Sequence, residues 1–258
     1  MLNSKTISAL ITVAVITGVG APALADGLGD GSYVKFEFGS AFEAGGDAFW
    51  RPPGFPADPQ VFFDLSRDNR AYVSAAVGHE WSDKFRGDVS LSVFGGSDFS
   101  GPWSRTVPMV AGPHADITGG SVSSTALMAN GYWSPFGTMG DSYGIQPFLT
   151  AGLGVARNKM SDWTRTNAAA PRVNRTFEGA SNTDFAWSIG AGVSANLNSP
   201  RSNPVLFEAT YRYFDLGDAI GSGTPLPGNG ASTPVTPLTY QQRDHVVSIG
   251  IRIPLGGN

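Results

Sequence analysis

At 258 residues, with 34 glycines, no cysteine and only 15% charged side chains, the chain lacks a disulfide framework and the charge density of a disordered protein. Its 17 basic and 21 acidic residues give a net charge of −4, which argues against a nucleic-acid partner. Beyond the N-terminus, no apolar run reaches the roughly eighteen residues of a membrane-spanning helix.

The first 25 residues read as a secretory leader. Lys5 supplies the positive start, Ile7–Gly20 the apolar run, and Ala23-Leu24-Ala25 the small residues a signal peptidase recognises, with cleavage expected before Asp26. The run is short for a membrane anchor and no stop-transfer charges follow it. The rest, 26–258, is read as one domain. An exported chain without disulfides needs a large core or a closed sheet for stability.

The first alternating stretch is Ser32–Phe42, with Val34, Phe36, Phe38 and Phe42 on one face and Lys35, Glu37, Gly39 and Ala41 on the other. Ala44–Asp68 is rich in glycine and proline and reads as a long loop, which carries Trp50 and Phe55. Asn69–Trp81 opposes Ala71, Val73, Ala75, Val77 and Trp81 to Arg70, Tyr72, Ser74, Gly78 and Glu80. A tight turn at Ser82–Lys84 leads into Phe85–Gly95, with Val89, Leu91 and Val93 opposite Arg86, Asp88, Ser90 and Ser92. The two strands predict a hairpin. Gly96–Gly120, with Trp103, is a second long loop.

Ser121–Trp133 places Thr125, Leu127, Ala129 and Trp133 against Ser124, Met128, Asn130 and Tyr132. After the turn Ser134–Ser142, Tyr143–Asn158 sets Leu149, Ala151, Leu153 and Val155 against Gln146, Thr150, Gly152 and Gly154. Lys159–Thr183, with Trp163, is the third long loop. Asp184–Asn196 opposes Phe185, Trp187, Ile189 and Val193 to Ser188, Gly190, Gly192 and Ser194. The turn Leu197–Asn203 precedes Val205–Asp218, where Phe207, Ala209, Tyr211 and Tyr213 back onto Glu208, Thr210, Arg212 and Phe214. Asp218–Asp244 is the fourth long loop. The last strand, His245–Leu255, turns Val247, Ile249, Ile251 and Ile253 away from Ser248, Gly250 and Arg252.

Eight strands therefore alternate long and short connections without exception. The long ones run about 25 residues, far above the two to five of ordinary hairpins. Long external loops and short periplasmic turns are the signature of a transmembrane up-and-down antiparallel β-barrel, with the apolar faces toward lipid. On that reading Trp81, Trp133, Tyr211 and Tyr213 are interfacial aromatics. Lys35, Glu37, Glu80, Arg86, Asp88, Asn130, Gln146, Glu208, Arg212 and Arg252 face the lumen, among small residues. Eight strands leave room for side chains and little else, so these groups are expected to pair across the lumen and plug it. Glu208 could meet Lys35, Arg86 or Arg252, and Arg212 could meet Glu37, Glu80 or Asp88. The alternative is a small-solute, porin-like channel.

A lipid A-modifying enzyme is the second class considered. It would need a histidine with a nearby serine and carboxylate. The chain offers only His79, His114 and His245. His79 with Glu80, and His245 with Ser248, point to opposite strand faces, so no catalytic, cofactor or metal site is assigned. A third reading is surface binding: Trp50, Phe55, Trp103 and Trp163 either anchor a partner or fold over the barrel mouth and bury one another.

Six stretches resemble the opacity-protein-like family of Gram-negative outer-membrane barrels: W-S-D-K-F-R-G-D-V-S (81–90), M-A-N-G-Y-W (128–133), P-F-L-T-A-G-L-G-V-A (147–156), F-A-W-S-I-G-A-G-V-S (185–194), Y-R-Y-F-D (211–215) and H-V-V-S-I-G-I-R-I-P-L (245–255). The resemblance covers most strands and none of the long loops. It implies a monomeric eight-stranded barrel in the outer membrane, with a surface-antigen, adhesion or envelope-integrity role and no catalysis. Its expected partners are outer-membrane lipid and lipopolysaccharide, the barrel-assembly machinery during insertion, and a surface ligand. Such proteins usually end on an aromatic residue, whereas this chain runs past Leu255 as Gly256-Gly257-Asn258.

Overall fold

The computed structural model describes residues 29–50, 60–107, 116–137, 144–167, 174–197, 205–227 and 235–255. The expected leader, Phe55, His114 and the last three residues lie outside them. Thirteen strands are present among the described residues: β1 (Ser32–Glu43), β2 (Ala48–Trp50), β3 (Gln60–Phe63), β4 (Ser66–Arg67), β5 (Arg70–Glu80), β6 (Phe85–Val107), β7 (Asp116–Trp133), β8 (Ile145–Met160), β9 (Trp163–Asn167), β10 (Arg175–Phe177), β11 (Ala180–Asn196), β12 (Leu206–Ile220) and β13 (Thr239–Pro254).

Eight of them form a closed antiparallel ring, β1-β5-β6-β7-β8-β11-β12-β13, with β13 returning to β1. The ring is staggered. Cα partners followed from Tyr33 run through Gly78, Asp88, Asn130, Gly152, Ser188, Phe214 and Asp244, and come back to β1 at Glu43 rather than Tyr33. That offset is the shear that closure of a tilted sheet imposes, and it leaves the ring without an edge.

Alternation along each strand sorts the faces. Large apolar side chains stand on the outside, among them Leu91, Leu127, Leu153 (62% exposed), Ile189 and Val247. On β8 the outward apolar run from Ile145 to Val155 rises about 25 Å at ~3.3 Å per residue and a tilt of ~40°, which matches the apolar band of an outer-membrane barrel. A continuous apolar belt of this height would be untenable in water. The barrel therefore crosses a membrane. Trp81, Trp133 and Tyr211 are exposed on the outer surface and Tyr213 is half-buried there, beside Trp187.

The four long connections differ from the sequence expectation. They are not simple loops, because a second ring stands on the first. β6 alone has 23 residues, and at the same tilt it rises about 55 Å, roughly twice the apolar band. Where β1 and β5 stop, the hairpin β2–β3 takes their place between β13 and β6. Where β8 and β11 stop, β9–β10 takes over beside β7. β10 then bonds to the chain just after β12, through Glu178–Thr224, Thr176–Leu226 and the Phe177–Pro225 bridge. That segment bonds in turn to the residues before β13, through Val235–Gly223 and Gly221–Leu238. Short β4 is paired on β6. The upper storey is thus also closed.

Two β-bulges mark the junction of the storeys. The register of β6 shifts between Phe94 and Ser97, and that of β12 between Asp215 and Asp218. Gly217 sits in the second with φ +74, a conformation side-chain-bearing residues avoid. Each bulge inverts the alternation: Phe94 and then Ser97 and Phe99 face inward, as do Phe214, Leu216 and then Ala219.

Candidate functional site

The lumen of the lower ring is filled by charge. Lys35 and Glu37 on β1, Arg86 and Asp88 on β6, Glu208 and Arg212 on β12, and Arg252 on β13 are all buried. Each lies on the inward phase of a strand whose opposite phase is apolar. The Arg212 guanidinium donates to both carboxylate oxygens of Glu37, at 2.7 Å each. Lys35 Nζ lies 3.1 Å from Asp88 and 3.6 Å from Glu37, and it donates to the Tyr132 hydroxyl. Asp88 also accepts from Asn130 at 2.7 Å and from the Tyr33 hydroxyl at 3.3 Å.

A second group stands nearer the short-turn end. Glu208 accepts from Arg86 at 2.5 Å and from Arg252 at 2.9 Å, and Arg252 also pairs with Glu80 at the mouth. The Arg86 guanidinium stacks over Tyr132 (4.3 Å) and Phe148 (4.7 Å). Each group holds two cations and two carboxylates, so each is neutral. Of the partners open for Glu208, the structure joins Arg86 and Arg252; for Arg212 it joins Glu37. Gln146 stands apart from the ion pairs: half-buried at the short-turn mouth, it donates to the Asp83 carbonyl at 2.5 Å. Its position at the start of β8, one residue from the turn, explains this.

Glycine makes the packing fit. A Cβ on Gly190 would collide with the Tyr211 carbonyl and the Arg212 stem, so this wall position must stay bare for Arg212 to reach across.

Above the ion pairs lies an apolar seal that the sequence did not single out. Tyr72, Phe94 and Phe214 form a three-ring cluster with centroids 5.2–5.9 Å apart, packed with Ala41, Met128, Leu216 and Val246. These residues obey the inward phase of their strands, but nothing local shows that they share one level. Above the seal, Arg67 and Arg70 both pair with Asp244, and Glu43 accepts from the Tyr240 hydroxyl. Arg67 comes from β4, inside the stretch read as loop.

The upper storey has its own core of Trp50, Val61, Phe63, Phe99, Met160, Trp163, Phe177 and Tyr240. Trp50 and Trp163 are therefore not exposed anchors. Trp163 is stacked on Phe177 at 4.3 Å, and its indole N–H donates to the Ser222 carbonyl at 2.7 Å. Trp103 packs edge-on against Trp50 and Phe63. At one side of this core Asp116 accepts from Arg165 and Arg175, both at 2.7 Å, and Arg165 lies over the Trp50 ring at 4.3 Å. Burial pushes the Asp116 carboxyl up, but the Arg175 hydrogen bond and the charges of both arginines outweigh it and hold it below the usual carboxylate range. Burial, joined by the like charge of Arg175, draws Arg165 down to about 10, so it remains charged at neutral pH.

The described histidines stand outside these networks. His245 faces outward, with Nδ1 2.7 Å from the Tyr211 hydroxyl, whereas Ser248 is buried in the lumen. His79 meets the Ser32 hydroxyl at 3.5 Å and the Trp81 ring, with no carboxylate on its ring among the described residues. Among the described residues no group of three or more His, Cys, Asp or Glu could hold a metal ion.

No protein-family model matches the chain, and no curated protein sequence does. Solved structures with a similar trace include Neisserial surface protein A (14% identity, 87% of this chain and 97% of that one, TM-score 0.43). OprG of Pseudomonas aeruginosa covers the chain similarly (14% identity, 87% and 96%, TM-score 0.48). So does Ail, the attachment invasion locus protein of Yersinia pestis (12% identity, 87% and 99%, TM-score 0.34). The barrel description stands on the strand pairing itself.

Proposed function

We propose that this chain is a structural surface protein of a Gram-negative outer membrane, exported by a leader at residues 1–25 and anchored by a sealed eight-stranded barrel that holds up a closed external storey. The observation that carries this reading is the filled lumen. Two neutral ion-paired groups and the Tyr72–Phe94–Phe214 seal occupy the space a solute would need. Activity then belongs to the upper storey, in envelope integrity or in adhesion. Because Trp50 and Trp163 are buried, a surface ligand would meet the outside of that storey and the segments joining its strands, not those rings. The barrel is read as a monomer, with lipid and lipopolysaccharide around it and the barrel-assembly machinery needed for its insertion.

Planar-bilayer recording of the refolded chain tests the sealed lumen: no stable conductance is expected, and a reproducible open channel would overturn it. Adhesion of whole cells carrying the intact chain, or one with β2–β3 and β9–β10 excised, tests the surface role. A barrel that inserts normally and an adhesion that does not change would leave envelope architecture as the function.

A further inference from the structure

On the β7–β8–β11 face of the barrel, the outward side chains change character at one level. Leu127, Val155 and Phe185 lie side by side in register and end the apolar band. The next outward row is Thr125, Arg157 and Thr183, and the one above it is Ser123, Lys159 and Ser181. Two cations about 6.6 Å apart along one strand are thus flanked on both sides by hydroxyls, directly above the belt. Arg157 and Lys159 are exposed, and neither has an ion pair among the described residues. Arg67, Arg70, Arg86, Arg165, Arg175, Arg212, Arg243 and Arg252, by contrast, are all ion-paired, Arg243 holding Asp215 of β12 at 3.2 Å.

We propose that this patch binds the phosphorylated sugar headgroup of an outer-leaflet glycolipid, with Arg157 and Lys159 on the phosphate and the flanking hydroxyls of Thr125, Thr183, Ser123 and Ser181 on phosphate and sugar oxygens. The position selects the ligand. A headgroup anchored by acyl chains against Leu127, Val155 and Phe185 arrives at the first polar row, and the strands' long-connection ends place that row in the outer leaflet. A soluble anion would have no reason to favour a site at the rim of a lipid-facing band. This assignment rests on the outer-membrane reading above and deepens it.

The test uses the full-length mature chain refolded into phosphatidylcholine vesicles. These contain diphosphoryl lipid A, its dephosphorylated form, or phosphatidylglycerol at matched charge. Insertion is scored by protease protection, and the thermal unfolding midpoint is then read. Diphosphoryl lipid A should raise the wild-type midpoint by about 5 °C over the dephosphorylated form. The double variant R157Q/K159Q should lose most of that rise, whereas K84Q, at a short turn, should keep it. The wild-type comparison between lipids needs no variant. A rise retained in R157Q/K159Q, or an equal rise with phosphatidylglycerol, would overturn the proposed site while leaving the membrane reading intact. Wild type that inserts into none of the vesicles would overturn both.

Discussion

Arg212 of β12 and Glu37 of β1 are 175 positions apart in the chain, yet their side chains meet inside the barrel through two 2.7 Å hydrogen bonds. Both are buried, so the pair exists only because closure brings the two strands round to face each other. Breaking one half leaves an uncompensated charge, which costs more than removing both. Arg212→Met alone is expected to destabilise the barrel by about 3–5 kcal/mol. The double variant R212M with E37M should recover much of that loss. Urea unfolding in vesicles, followed by tryptophan fluorescence, measures both. Equal losses in single and double variants would mean that packing volume, not the ion pair, sets the stability.

The seal makes a separate prediction. Phe94 and Phe214 are fully buried and lie 5.3 Å apart between centroids. Their joint replacement, F94S/F214S, opens the level that the ion pairs do not fill. Conductance should be absent from wild type and from this variant, because the ion-paired groups below still fill the lumen. A channel in the double variant would place the block at the seal alone.

Acid should loosen the upper storey before the lower. The Asp116 carboxyl is held below its ordinary value in the folded protein, so its contribution is complete above the unfolded value of about 4 and is lost as pH falls through the folded one. Proteolysis of the upper storey should therefore rise as the pH drops below about 4, while the membrane band stays protected. Asp116→Asn should show the raised cleavage already at pH 7. Identical cleavage of wild type and D116N across this range would show that the arginine pair does not hold the storey together.

Lipid A modification is a direct check on catalysis. The His245 ring is occupied by Tyr211, and Ser248 lies on the other side of the sheet. Lipid A mass spectra are expected to be the same with wild type, H245A and H79A. A change in acylation that either variant abolishes would make this an enzyme.

Leu153 and Gly152 show why so much of the lower ring was legible. Neighbouring residues point to opposite faces, so an apolar residue beside a small or charged one marks lipid against lumen wherever alternation is unbroken. The upper storey was not legible, because the alternation slips where a bulge adds a residue. The reading of β6 stops at Gly95 and that of β12 at Asp218, although both strands continue. Short strands such as β2, β3 and β9 carry too few residues to show a period at all. Gly217 with its neighbouring carboxylates, or the Gly95-Gly96 pair inside an alternating run, was the available hint of a bulge.

Composition and period alone therefore determined eight long strands, the phase of each, and the set of charges that must turn inward. Only the tertiary structure decided which charge meets which, that an aromatic seal lies above them, and that the long connections close into a second ring. The reason is physical. The facing of a side chain is a property of one strand, whereas pairing, sealing and closure depend on the stagger between strands far apart in sequence.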